Sequence, residues 1–185
     1  MLGLGAAIAA LLTASSVQAQ TNPTPSSTPK QTTGSAPSGQ ASKTDQRFLT
    51  EAILADLAEV QIGKLAQQKG DNVDVKQFGQ MLEQDHGQHL QQAQRVASQI
   101  GVTPPTEPSA EQKAIYDRLS KLSGASFDRQ FAMAMVKDHK EDVAKFQKMA
   151  KEKSPVGELA SLTVPTLQKH LQSAEALTSS KQSKK

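Results

Sequence analysis

Between residues 45 and 178 apolar side chains recur at three- and four-residue steps, the period of an α-helix. The spacing predicts a first long helix over residues 46–69, with Asp45 as its N-cap and Gly70 just past its end. Its stripe is Leu49, Ile53, Leu57 and Val60. A second helix follows over residues 73–100, with Phe78, Leu82, His86, Leu90, Ala93 and Ala97 in line and Gly101 as its stop. Residues 102–108 carry three prolines and read as a loop. Ser109 and Gln112 then have the spacing of a capping box, opening a short helix that runs to about residue 122 and is closed by Gly124. Ser126 is the expected cap of a third long helix, reaching residue 151, whose stripe is Ala132, Val136, His139, Val143, Phe146 and Ala150. Ser154 followed by Pro155 opens a fourth, to residue 177, in which Pro165 is expected to kink or distort one turn. No segment alternates at period two long enough for a strand, which excludes a β-barrel. Long helices joined by short loops predict an all-α antiparallel bundle.

The flanks read differently. Residues 2–12 are Leu, Ala, Ile and Gly, too short a run to span a bilayer, and Val17 and Ala19 are the small residues a signal peptidase requires. The Lys or Arg that usually precedes such a run is missing. Residues 1–19 are therefore expected to be a signal peptide cleaved after Ala19, and the mature protein to be periplasmic or secreted. Of the 25 residues from 20 to 44, 17 are Pro, Ser, Thr or Gly and none is Val, Ile, Leu or Phe, so this stretch is expected to be a disordered linker. Residues 179–185 are expected to form a basic disordered tail, leaving 45–178 as the helical domain.

Charge and composition narrow the function further. The net charge of +3 is carried by the flanks: all 18 acidic residues lie between Asp45 and Glu175, and five of the 21 basic residues lie outside that span, leaving 16 against 18 within it. That balance, with no Trp and only Tyr116 as tyrosine, argues against a nucleic-acid partner. The absence of cysteine excludes thiol catalysis, disulfides and Cys-based zinc sites. No transmembrane span is expected in the mature protein. A protein partner or a component of the envelope is the class of partner left open.

Three of the four histidines stand in apolar stripes near the middle of their helices: His86, His139 and His170. Asp85 and Asp138 directly precede the first two, and Glu59 interrupts the first helix at comparable depth. Imidazoles and carboxylates on facing helices suit a divalent Zn, Fe or Mn ion, which makes Glu59, Asp85, His86, Asp138, His139 and His170 the candidate metal ligands. A di-iron carboxylate site needs Glu-x-x-His on two helices, and the chain offers it once, at Glu83 and His86, which disfavours an oxidase. The competing reading, which the sequence favours, is a buried hydrogen-bonded network that fixes helix register. His89, one turn past His86, reads as a surface i,i+4 partner of Asp85. Met81, Met133, Met135 and Met149 read as core fillers. No catalytic or organic-cofactor motif is present.

The strings Phe48-Leu-Thr-Glu-Ala52, Leu57-Ala-Glu-Val-Gln-Ile-Gly-Lys-Leu-Ala66, Phe78-Gly79, Asp85-His86, Phe127-Asp128, Val136-Lys-Asp-His139 and Leu167-Gln-Lys-His-Leu171, in that order, resemble the bacterial exported "domain of unknown function 4142" family. The resemblance covers about residues 47–177. It implies a ferritin-like helical bundle, to which the helix read over residues 109–122 adds a short extra element in the connection between the second and third of four long helices. It also implies that Glu59, Asp85, His86, Asp138, His139 and His170 match the family's recurrent polar positions. No activity comes with it. The expected role is an exported, non-enzymatic structural or interaction module linked to envelope stress, its polar midplane specifying packing. The alternative is a periplasmic ferritin-like protein that binds a metal or small ligand. The leader makes one checkable prediction. Exported protein should have the intact mass of a chain beginning at Gln20, and a mass that includes residues 1–19 would make the segment an anchor instead.

Overall fold

The computed structural model describes residues 41–179; the expected signal peptide, the linker as far as residue 40 and the tail beyond 179 lie outside the described residues. Five helices follow in order: α1 Lys43–Lys69, α2 Val73–Gln99, α3 Ala110–Ser120, α4 Gly124–Met149 and α5 Pro155–Ser179. Helix α1 begins three residues before its expected start, inside the stretch read as linker. The cause is Ser42, whose hydroxyl accepts from the Asp45 N–H at 3.0 Å and so replaces Asp45 as the cap. Asp45 instead turns inward and accepts from the Ser154 hydroxyl at 3.0 Å, while Ser154 also accepts from the Gly157 N–H at 3.1 Å. One serine thus caps α5 and ties it to the start of α1. The capping box of α3 forms as expected between Ser109 and Gln112. Ser123, not Ser126, precedes α4, because Gly124 at φ 54° makes the left-handed turn by which the chain enters that helix. Pro165 does not break α5, which runs on to Ser179, one residue into the stretch read as tail.

Helix α1 packs chiefly on α2 and α4 on α5, with contacts between α2 and α5 joining the two pairs. The short α3, lying in the connection between α2 and α4, covers α1 and α4 from outside. An all-helical bundle is thus the architecture, with no strand among the described residues. No described helix is long and apolar enough to cross a membrane. The buried apolar side chains separate into two clusters. One gathers Leu65, Phe78, Leu82, Phe127, Phe131 and Met135; the other gathers Leu49, Ile53, Phe146, Met149, Val156 and Leu159. Met133, expected in the core, is 55% exposed, since it lies on the outer face of α4.

Two features hold the helices in register. The Asp128 carboxylate at the start of α4 accepts from the backbone N–H groups of Asp71 and Asn72, at 3.0 and 3.1 Å, which clamps the α1–α2 turn to the other helix pair. Where α1 crosses α2, Gly63 and Gly79 let the backbones touch. A Cβ on Gly63 would lie 2.6 Å from the Gly79 carbonyl oxygen and 2.9 Å from the Glu83 nitrogen. Neither backbone group can move aside without unlocking the pair. Gly63→Ala should therefore destabilise the fold by about 1–3 kcal/mol or more, whereas Gly87→Ala should stabilise it by about 0.5–1 kcal/mol. The nearest atom to the added Cβ at Gly87 is 4.0 Å away. Denaturant melts of the two variants test the contrast, and equal effects would show that the crossing is looser than described.

Candidate metal centre

A belt of buried polar side chains lies on the facing surfaces of the four long helices: Asp56 and Glu59 on α1, His86 and His89 on α2, His139 and Asp142 on α4, Thr163 and His170 on α5. Each imidazole has one nitrogen held by an oxygen. His86 Nδ1 lies 3.0 Å from Asp56 Oδ1, and His89 Nδ1 lies 2.7 Å from Asp56 Oδ2, so one carboxylate bridges two rings of α2. His139 Nδ1 lies 3.0 Å from the Met135 carbonyl oxygen, and His170 Nε2 lies 2.8 Å from Asp85 Oδ2.

These partners fix the tautomers. A carbonyl oxygen only accepts, so His139 carries its proton on Nδ1 and has its lone pair on Nε2. By the same reasoning His170 donates from Nε2 to Asp85 and has its lone pair on Nδ1. His86 and His89 donate from Nδ1 to Asp56, which puts the lone pair of each neutral ring on Nε2. Burial, with the neighbouring His86 and His170 rings, lowers the pKa of His139 to about 3. Burial and His86 lower that of His170 to about 4 against the opposing pull of Asp85. Both rings are neutral at neutral pH. Burial alone would raise the Asp56 carboxyl, but the hydrogen bonds from His86 and His89 outweigh it and hold the group below its ordinary value.

The free lone pairs point at one another. His139 Nε2 and His170 Nδ1 stand 3.3 Å apart with no proton assigned to the space between them. The His86 ring joins them, with centroids 5.7 Å from His139 and 5.3 Å from His170, and the three residues each offer a nitrogen within 4.8 Å of the others. His86 Nε2 is buried without a hydrogen-bond partner. Two nitrogens bound tetrahedrally to one ion at 2.0–2.1 Å are separated by about 3.3–3.4 Å, the separation found here. His139 and His170 have that separation already; the His86 nitrogen, within 4.8 Å of the others, would have to close on them for three imidazoles, each oriented by an oxygen behind it, to hold one cation.

A family described as Domain of unknown function (DUF4142) matches residues 30–177 of the chain. The protein belongs to the DUF4142 family. No functionally curated protein matches it. A crystal structure of a DUF305 fragment from Deinococcus radiodurans is similar in fold, with a TM-score of 0.67 and 18% identity, covering 76% of this chain and 98% of that one. At that identity the likeness extends to the fold alone.

In this DUF4142 chain, the sequence-derived set divides. His86, His139 and His170 come together, and Asp85 stands behind His170. Glu59 and Asp138 lie outside the three-histidine group. They pair with each other, and burial, the Asp138 charge and the hydrogen bond between them raise the Glu59 carboxyl well above its ordinary value. That pair lines a cavity of about 320 Å³ beneath α3. Glu83 accepts from Gln67 Nε2 at 2.7 Å, so the Glu-x-x-His spacing does not bring a carboxylate to His86. His89 is buried on Asp56, not paired with Asp85 on the surface. Apolar periodicity does not reveal Asp56, because Leu57 beside it fits the stripe, yet Asp56 falls seven after Leu49 and seven before Gly63, in the row that is buried. Asp142 is hidden similarly, one position before Val143.

Asp142 supplies a prediction of its own. Burial, followed by the charge of Asp138, pushes its pKa up from 3.8 to about 7. The native state keeps a proton that the unfolded chain releases, so this group destabilises the fold increasingly as pH rises from about 4 to 7. The neutral histidines act in the opposite sense, destabilising as pH falls from about 6.5, but they are common to wild type and variant. Asp142→Asn with chelator present should therefore match wild type near pH 4 and exceed it increasingly up to pH 7. At about 1.4 kcal/mol per tenfold change in proton affinity, the ceiling is about 4 kcal/mol. Urea melts across that range test it, and a difference independent of pH would refute the assignment.

Proposed function

We propose that this protein is an exported metal-binding bundle that takes one Zn²⁺-like ion through His86 Nε2, His139 Nε2 and His170 Nδ1. The observation that carries the reading is the 3.3 Å approach of two lone pairs in a buried space, with a third unpartnered nitrogen beside them. A purely structural network, the reading the sequence favoured, would place a proton between such atoms. Here every imidazole proton is already engaged on the far side of its ring by Asp56, Met135 or Asp85. An unpaired buried acceptor costs about 1–3 kcal/mol, and a bound ion removes that cost at three positions together.

The donor set narrows the metal. Three imidazoles without a carboxylate suit Zn²⁺ and other borderline ions, whereas Mn²⁺ prefers oxygen. A second metal and the carboxylate bridges of a di-iron oxidase have no ligands in this group, so the role is binding rather than dioxygen chemistry. Export is supported by the apolar run of residues 2–12 and the small residues Val17 and Ala19. Cysteine-free zinc ligation suits an oxidising compartment, where thiolates do not persist.

Untagged protein purified after export should contain one equivalent of zinc by elemental analysis. His139→Leu, which keeps an apolar side chain in place of the ring, should fold and lose that metal. Zinc at 100 times its dissociation constant should stabilise the wild type by about 2.7 kcal/mol, roughly 10 °C in melting temperature for a domain of this size, and leave the variant unmoved. Wild-type protein that binds no metal and melts alike with zinc and chelator would return the belt to a structural role.

A further inference from the structure

The side chains around the three histidines leave one direction open. A small cavity of about 20 Å³ adjoins the group, lined by His86, His170, Asp85, Asp142, Thr163 and also His89; His139 is not among its walls. That volume has room for one water or a molecule of two or three atoms, and none for an organic substrate. An ion held by three imidazoles would retain a fourth tetrahedral position, and the cavity lined by two of the three is a space beside the group that could receive it.

His89 is the second observation. It is buried, its ring packs at 5.7 Å from the ring of Phe146, and it does not belong to the ligand group. Its Nδ1 lies 2.7 Å from Asp56 Oδ2, which puts the lone pair of the neutral ring on Nε2, and Nε2 is buried without a hydrogen-bond partner. The residue lines the same small cavity as His86 and His170. Asp56 thus holds a ligand histidine with one oxygen and a non-ligand histidine with the other, and both Nε2 atoms are buried without a partner. A buried acceptor on a residue that lines a water-sized space is stabilised by a donor placed there, and metal-bound water is such a donor.

Resting on the three-histidine reading, we infer that the bound ion keeps its fourth position open to this cavity, where it takes one water or small monoanion, and that His89 Nε2 accepts the hydrogen bond of that water. His89 is a positioning residue: it touches the exogenous ligand and not the ion. Thr163, whose hydroxyl donates to the Leu159 carbonyl at 2.8 Å, lines the same cavity.

Cobalt(II) in place of zinc makes the position visible, because its absorption bands change when a ligand is exchanged. The full mature chain loaded with Co²⁺ is titrated with azide, with imidazole as a probe too bulky to enter. Azide should change the spectrum saturably and imidazole should not. Thr163→Leu, which fills the cavity, should still bind cobalt but lose the azide response. His89→Leu should bind azide about fivefold more tightly, because displacing water then breaks no hydrogen bond, the factor being that of a bond of about 1 kcal/mol. His89→Gln, whose carbonyl oxygen accepts, should restore the wild-type affinity. Cobalt bound with a spectrum indifferent to azide would overturn the open position while leaving the three-histidine site standing. Equal azide affinity in wild type and His89→Leu would overturn the role of His89. Failure of the wild type to bind cobalt at all would overturn the metal reading and this inference together.

Discussion

Four buried imidazoles must each satisfy two ring nitrogens in a core with no room for bulk water, and this requirement organises the middle of the bundle. Oxygen atoms from α1, α2 and α4 meet one nitrogen of each ring: Asp56 serves His86 and His89, Met135 serves His139, and Asp85 serves His170. No oxygen is available to the remaining nitrogens of His86 and His89, and His139 and His170 face only each other. The apolar core divides into two clusters along its length, so the fold forgoes a continuous hydrophobic interior to house this belt. Stability then falls to the two apolar halves and to the ties between helices, while the belt is free to be specified by chemistry.

Those ties set the precision of the belt. Asp56 reaches α2 only because α1 and α2 approach to backbone contact one to two turns away, at Gly63 and Gly79. The Asp128 clamp then fixes where α4 begins relative to that pair, and so the depth at which His139 enters the core. The Asp45–Ser154 bond does the same for α5 and His170 at the other end. Each of the helices that present a histidine is therefore anchored near one terminus by a hydrogen bond or a close contact far from the imidazole it presents. A shift of one residue in any of these registers would turn a ring to solvent, as the outward-facing Met133 on α4 illustrates.

How much of this was legible in the chain follows from the same geometry. The helices, the capping box at Ser109, the start of α5 at Pro155 and the inward facing of His86, His139 and His170 could be read from period and turn chemistry, because those signals are local. Asp56, His89 and Asp142 could not be read as easily. Each is a polar residue beside an apolar one, Leu57, Leu90 or Val143, and apolar periodicity assigns the core to the apolar neighbour. Only the packing of two helices reveals that the buried row passes through the acid. The pairing of Glu59 with Asp138, rather than with the histidines, likewise depends on the α1–α4 approach. The start of α1 is hidden for a different reason: Ser42 sits in a run of small polar residues whose composition conceals its capping role.

Charge gives the last constraint on what this belt can hold. Asp56 is kept ionised by the protons of two histidines, and Asp85 lies behind His170 at the edge of the site, 28% exposed at its side chain. Glu59 on α1 and Asp142 on α4 are pushed towards their neutral forms by burial and by the charge of Asp138. Behind the imidazoles stand two carboxylates, Asp56 against His86 and Asp85 against His170, each accepting on the side of the ring away from the three-histidine group. Carboxylates in that place strengthen the lone pairs in front of them, so a cation held as proposed above would have opposite charge one ring away to offset its burial.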